Sequence, residues 1–302
     1  MYDTVNLWLD RVDTSGGNPF EVLPYLTGIT ERKNAQEYSC TGTMKGYNVF
    51  VSNRGLWMVG SLAKMFFEGD NVPTMTRKST ELAIQKLCDE FHTDMRRAHV
   101  KRIDVASVIP TKRPPTDYYS YLGSKAYFKR LQAAEDTLYY KNHQRQLVFY
   151  DKKKESETVP ETWKNVLRYE YSLLSHINKQ MRADVRAETI YMEDFYMKAV
   201  FAWRDEFNGI QKIKEQSFNM DNITTIRDAE TALLAYFLQQ SGQGIIDEFL
   251  NELKANSIFK ERPRYSELKK RLQTVYESPS GTKSELVQEL ESAVNNIARY
   301  AR

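Results

Sequence analysis

Between Tyr2 and Asp10 the chain alternates, with Val5, Leu7 and Leu9 apolar against Thr4, Asn6 and Trp8, the two-residue period of a half-buried strand. Asn48–Val51 and Gly55–Gly60 predict two more strands, joined through Ser52-Asn53-Arg54-Gly55. Ile84, Leu87, Cys88, Phe91 and Met95 recur at helical spacing, which predicts an amphipathic helix over Ser79–Met95. Val100–Ile109 reads as the next strand, stopped by Pro110 and Pro114-Pro115, and Tyr118–Leu131 as a short helix. Thr137–Lys141 and Gln146–Tyr150 predict a hairpin turning at Asn142–Arg145, and Asn165–Leu173 a strand after the charged stretch Asp151–Glu161. From about Ser175 the period becomes helical, over 189–207, 225–240, 244–256, 264–276 and 283–301, with Pro263 and Ser278-Pro279-Ser280-Gly281 punctuating the last two. The expectation is an α+β chain: an antiparallel sheet domain with packed helices over residues 1–175, then a mostly helical C-terminal region over 176–302.

Composition narrows the class. Of 302 residues, 41% are hydrophobic and 27% charged, which is ordinary for a water-soluble globular protein. No apolar run approaches the ~20 residues that span a bilayer. The first eight residues hold neither a basic region nor a small-residue cleavage site, so no secretory signal is expected. Cys40 and Cys88 offer neither a disulfide framework nor metal-ligand spacing, and a reducing cytoplasm is the natural compartment. The net charge is only +3, but Val100–Lys154 holds 12 Lys/Arg against 5 Asp/Glu, a local +7 that leaves −4 for the rest. A basic middle in a mildly acidic chain is a footprint for a polyanion.

Strand parity then sorts the reactive side chains. In Val100–Ile109, Ile103, Val105 and Ile109 share one face and Arg102, Asp104 and Ala106 the other. In Gln146–Tyr150, Leu147 and Phe149 oppose Gln146, Val148 and Tyr150, a face that Lys152 and Lys154 continue if the strand persists. In Val166–Leu173, Leu167, Tyr169, Tyr171 and Leu173 leave Arg168, Glu170 and Ser172 opposite. If the three strands are neighbours, a phenol stands beside two carboxylates, ringed by Lys152, Arg102 and Arg168. Two carboxylates are hard oxygen ligands for Mg²⁺ or Mn²⁺. Such a metal polarises a phosphate, and a nearby lysine favours the phenolate of a tyrosine whose ordinary pKa is ~10. The same pattern is met if Asp104 and Glu170 only pair with Arg102 and Arg168 while Tyr150 packs.

Arg102-Ile103-Asp104-Val105-Ala106 resembles the R-I-D-x-A strand of phage and plasmid rolling-circle replication initiators. Leu147-Val148-Phe149-Tyr150-Asp151-Lys152 resembles their L-x-x-Y-x-K strand, and Arg168-Tyr169-Glu170 their R-[FY]-E strand. Lys45-Gly46-Tyr47-Asn48-Val49-Phe50 is similar to the G-H-N-V-F segment of the filamentous-phage replication endonuclease, with Tyr47 in place of His. The resemblance covers roughly residues 1–175. It implies a metal-dependent endonuclease and strand transferase that nicks single-stranded or locally melted origin DNA, joins its tyrosine to the 5′ phosphate, and later rejoins the ends. It also implies roles: Tyr150 as nucleophile, Lys152 as its electrostatic partner, and Asp104 and Glu170 as ligands of Mg²⁺ or Mn²⁺. There is no His-x-His pair, since His92, His99, His143 and His176 are far apart, and His176 is the remaining candidate for a third ligand.

Lys141, Arg145, Lys153 and Lys154, with Arg102 and Arg168, are the candidate DNA contacts. Tyr139 or Tyr140 can stack an unpaired base or pack in the core. Glu261-Arg262-Pro263-Arg264-Tyr265 and Lys269-Lys270-Arg271 admit a helix-turn-helix reader of duplex DNA, and the helical half admits dimerisation to a homodimer. Partners expected of such a protein are origin DNA and a host helicase and polymerase, with no membrane. The competing readings are a non-catalytic origin-binding initiator and a tyrosine recombinase. The latter needs a tyrosine near the end of an all-helical domain, whereas Tyr150 lies mid-chain on a predicted strand.

Overall fold

The structure is a computed structural model that describes residues 1–34, 37–133, 136–215, 223–241, 244–277 and 282–301. The strands of its main sheet are β1 (Tyr2–Asp10), β2 (Thr27–Asn34), β3 (Glu37–Met44), β4 (Tyr47–Ser52), β5 (Gly55–Val59), β6 (His99–Thr111), β7 (Lys129–Ala133), β8 (Thr137–Lys141), β9 (Arg145–Asp151) and β10 (Asn165–Leu173). Among the described residues they form one ten-stranded sheet in the order β2-β3-β4-β5-β1-β6-β10-β9-β8-β7, with antiparallel neighbours. The helices are α1 (Leu62–Phe66), α2 (Arg77–Phe91), α3 (Pro115–Tyr119), α4 (Lys152–Glu155), α5 (Ile177–Met181), α6 (Glu193–Asn208), α7 (Ile226–Ser241), α8 (Gly244–Ala255), α9 (Arg262–Tyr276) and α10 (Glu285–Tyr300). This is the α+β architecture expected, a large antiparallel sheet with packed helices followed by helices. No helix among the described residues is long and apolar enough to cross a membrane.

One face of the sheet closes a large core. Val5, Leu7, Leu9, Val49, Val51, Leu56 and Met58 on one half, and Ile103, Val105, Leu147, Phe149, Leu167 and Tyr169 on the other, are buried there against α2, α6 and α10. A second, smaller core gathers Ile213, Leu238, Ile246, Leu250, Leu272 and Tyr276 around α7, α8 and α9. Between Tyr2 and Val5 the register of β1 on β6 shifts by a bulge. Two successive residues there oppose one, so parity changes across it.

Several local expectations are corrected. Strands β2 and β3 have no counterpart among the predicted elements; β2 is polar, exposed and at the sheet edge, whereas β3 buries Cys40, Gly42 and Met44 on one face, a pattern weak in sequence because two of the three are small. The predicted helix over Tyr118–Leu131 shrinks to α3, which Pro115 opens in its first turn, and 129–133 becomes β7. Pro110 does not stop β6, which runs to Thr111. β1 ends opposite Val105, so one side of β6 is an edge at Pro110 and the missing N–H breaks no ladder there. The Ser278–Gly281 break lies outside the described residues.

Candidate active site

β10 lies between β6 and β9, and its register aligns Ser172 with Asp104, Glu170 with Ala106 and Val148, and Arg168 with Tyr150. On the core side Tyr169 stacks on Phe149 with centroids 4.6 Å apart and leans on Trp203 of α6 at 4.9 Å. The Tyr169 hydroxyl donates to the Trp203 carbonyl at 2.9 Å. This packing fixes the pleat, so the alternate residues Arg168, Glu170 and Ser172 must point to the opposite face together with Tyr150 and Asp104.

The Tyr150 hydroxyl donates to Glu170 Oε1 at 2.9 Å, and Arg168 Nε donates to the same oxygen at 2.6 Å. Arg168 is buried; it also pairs with Asp3 and donates to the Asn71 carbonyl at 2.7 Å. Asn71 Nδ2 donates to both Asp3 oxygens, and Asn71 Oδ1 accepts from Lys152 Nζ at 2.8 Å. Arg102 grips Asp104 with two parallel bonds of 2.9 and 2.8 Å. The ion pairs of the purely structural alternative therefore do form, and Tyr150 is joined to them by a hydrogen bond rather than standing apart.

Burial dominates the electrostatics. It raises the pKa of Tyr150 well above the ordinary 10.0, and the neighbouring Glu170 adds to this while Arg168 opposes it. Glu170 and Asp104 are raised by burial despite Arg168 and Arg102. For Asp3 burial also pushes upward, but Arg168, Ser61 and Asn71 together outweigh it and hold the carboxyl below 3.8. Lys152 is lowered by burial, with Glu155 pulling the other way.

The other expected residues are distributed as follows. β9 ends at Asp151, whose carboxylate caps α4 by accepting from Lys153 N, so Lys152 and Lys154 do not continue the strand face. Lys152 turns inward to Asn71 and Glu155, the latter at 2.6 Å. Lys153 and Lys154 are exposed, near the Trp163 carbonyl at 3.0 Å and the Asp136 carboxylate at 3.6 Å. Lys141 is exposed at the end of β8, whereas Arg145 lies on the helix-covered face, paired with Glu206. His176 leaves the strand with φ 53 at the start of α5 and is exposed, so it does not continue the face of Glu170; His143 is exposed in the hairpin turn. Tyr47 is fully buried, its hydroxyl 3.4 Å from the Val5 carbonyl, and Tyr140 is buried while Tyr139 is on the open face. Sequence reasoning missed Asp3, Asn71 and Glu155.

Among the described residues no group of three or more His, Cys, Asp or Glu is arranged to hold a metal ion. Ser172 Oγ, in register with Asp104, and Asn6 Oδ1, in register with Arg102, are buried without a hydrogen-bond partner. A set of two carboxylates and neutral oxygens fits Mg²⁺ or Mn²⁺, since Mg²⁺ binds through one or two carboxylates and takes its remaining oxygens from phosphate and water.

Residues 1–206 match the model of the Phage CRI family, described as the N-terminal part of a replication-associated protein. The match spans every strand of the main sheet and most of α6, and it sets the class: a rolling-circle replication initiator, as the strand motifs imply. The chain belongs to this Phage CRI family of replication-associated proteins. The structure of a rolling circle replication initiator protein from Geobacillus stearothermophilus is similar at a TM-score of 0.41 and 13% identity, over 76% of this chain and 92% of that one. No curated protein matches the chain.

Proposed function

We propose that this chain starts rolling-circle replication by cutting one DNA strand with Tyr150 and keeping the cut end. The observation that carries the reading is the 2.9 Å hydrogen bond from the Tyr150 hydroxyl to Glu170, on the sheet face opposite the large core, beside Arg168 and Asp104. The phenolic oxygen attacks the phosphorus of a phosphodiester, and its proton passes toward Glu170 Oε1, which burial makes a stronger base than an ordinary glutamate. The bond from phosphorus to the 3′ oxygen of the preceding nucleotide breaks, and that oxygen leaves as a 3′ hydroxyl after taking up a proton. The 5′ phosphate stays esterified to Tyr150, and attack by a 3′ hydroxyl on that ester reverses the step and rejoins the strand. The Arg168 guanidinium is the nearest cation favouring the phenolate; Lys152 acts through Asn71 and Glu155, holding the loop and α4 against the site. Asp104 and Glu170 would hold a Mg²⁺ or Mn²⁺ ion, which supplies neutralisation of the charge that develops on the phosphate. The free 3′ hydroxyl is a primer for a host polymerase, with a helicase opening the duplex ahead of it.

A non-catalytic initiator has one observation in its favour: both Asp104 oxygens are engaged by Arg102. Covalent trapping separates the two. Wild type and Tyr150→Phe are incubated with single-stranded DNA of the cognate origin, with and without Mn²⁺, and run on a denaturing gel. The expected result is a metal-dependent adduct in the wild type and none in the Phe variant. Tight binding without adduct or cleavage under any metal favours the non-catalytic initiator.

A further inference from the structure

Phe50, Trp57 and Trp8 form a cross-strand row on β4, β5 and β1, Phe50 in register with Trp57 and Trp57 with Trp8. They stand on the face opposite Val49, Val51, Leu56 and Met58, so the core does not need them. Phe50 is 38% exposed, and the two indoles are half-buried with centroids 6.2 Å apart. Asp10 accepts the Trp8 indole N–H at 2.8 Å and fixes that ring. The row does not end in isolation. Trp8 is in register with His99, and the next residue on its face, Asn6, with Arg102, so the rings run into the polar face of β6 that carries Asp104. Cations stand at both ends: exposed Arg32, in register with Ser39 at the outer edge, and Arg102, whose side chain is 37% exposed although it pairs with Asp104. From β4 to β9 there are five strand spacings, a path of about 24 Å across the sheet to Tyr150.

We infer that this row is a stacking track for unpaired bases of single-stranded DNA, leading the strand across β4, β5 and β1 to Tyr150. The inference rests on the nicking reading for the direction of the strand. Every base has a π face, so aromatic rings accept any sequence, and cations flanking the rings suit the phosphates between the bases. The row stands on the same sheet face as Tyr150, with Arg102 and Asp104 between them, which is why the occupant is the DNA strand rather than a protein.

The test is fluorescence anisotropy on the full chain carrying Tyr150→Phe, so that binding is read without cutting. The probes are a labelled oligothymidylate of about 20 nucleotides and an abasic strand of the same length and charge. The unsubstituted track should bind the thymidylate roughly tenfold more tightly than the abasic strand, since stacking contributes about 5- to 100-fold per base. Phe50→Thr with Trp57→Thr should erase that preference and leave abasic binding unchanged; Trp57→Phe, which keeps a ring, should retain it. Equal binding of both probes by the parent, or a preference that survives the double Thr variant, overturns the inference. A loss of abasic binding that matches the loss of thymidylate binding overturns it too, because the rings then act through folding or charge. The nicking reading is judged separately by the wild-type adduct: an adduct without base preference sinks only the track, and base preference without an adduct sinks only the nicking.

Discussion

Arg168 is a guanidinium in the interior of the protein, and its satisfaction depends on Asp3, Glu170 and the Asn71 carbonyl. Removing one partner of a buried ion pair leaves charge without compensation, a cost of about 3–5 kcal/mol. Asp3→Asn is therefore expected to destabilise the protein by about 3 kcal/mol in urea unfolding at neutral pH. The sign with pH follows from the depressed native pKa of Asp3: its contribution is full above the ordinary 3.8 and is lost as pH falls through the lower native value. Melting temperatures followed against pH should show a shallower acid limb in Asp3→Asn than in the wild type. Tyr150, Glu170 and Asp104 are legible in the sequence because each lies on a regular strand, where parity assigns a face without knowledge of the partner. Asp3 is not, because it shares odd numbering with Val5, Leu7 and Leu9 and only the bulge after Tyr2 turns it to the polar side. Asn71 lies in a loop and Glu155 in a one-turn helix, where periodicity carries no signal.

The central strand β10 is held by α6 through one aromatic contact surface. Tyr169, Phe149, Trp203 and Phe207 interlock, and the Trp203 indole N–H donates to the Tyr169 carbonyl at 3.3 Å. Trp203→Ala opens a large void behind the strand and should cost about 3–5 kcal/mol in chemical denaturation. Under the nicking proposal it should also weaken adduct formation, because the same strand carries Glu170 on its other side. Elements with strong periods, such as β1, β10 and α6 to α10, are readable from residue order alone. The hairpin of β2 and β3 is not, since β2 is an exposed edge strand and the buried face of β3 is made by Cys40, Gly42 and Met44, two of them small. Nor is the end of β9, where Asp151 converts a strand into a helix start by capping it.

At the scale of the whole molecule the two cores differ in size. The sheet and α2, α6 and α10 share the larger one, whereas α7, α8 and α9 close on six buried side chains. Leu250→Ala removes one of those six and should cost about 2–5 kcal/mol locally. Hydrogen exchange should then accelerate in α7 to α9 while protection in β6, β9 and β10 is kept; equal acceleration everywhere would show a single cooperative unit. The strands of the basic stretch, β6, β8 and β9, lie within three places of one another in the sheet, but Arg145 faces α6 and Lys152 is buried, so these cations do not share one surface. The way Asn71 clasps Lys152, Asp3 and Arg168 bears on when the site around Tyr150 is assembled. Those bonds join residues 81, 68 and 97 positions apart, and the Arg168–Asp3 pair spans 165. Contacts of such separation close late, after the cost of ordering the intervening chain has been met. A partly folded copy therefore holds Tyr150 on a strand with no charge network around it, and under the nicking proposal the site is complete only once Asp3, Asn71, Lys152 and Arg168 have come together.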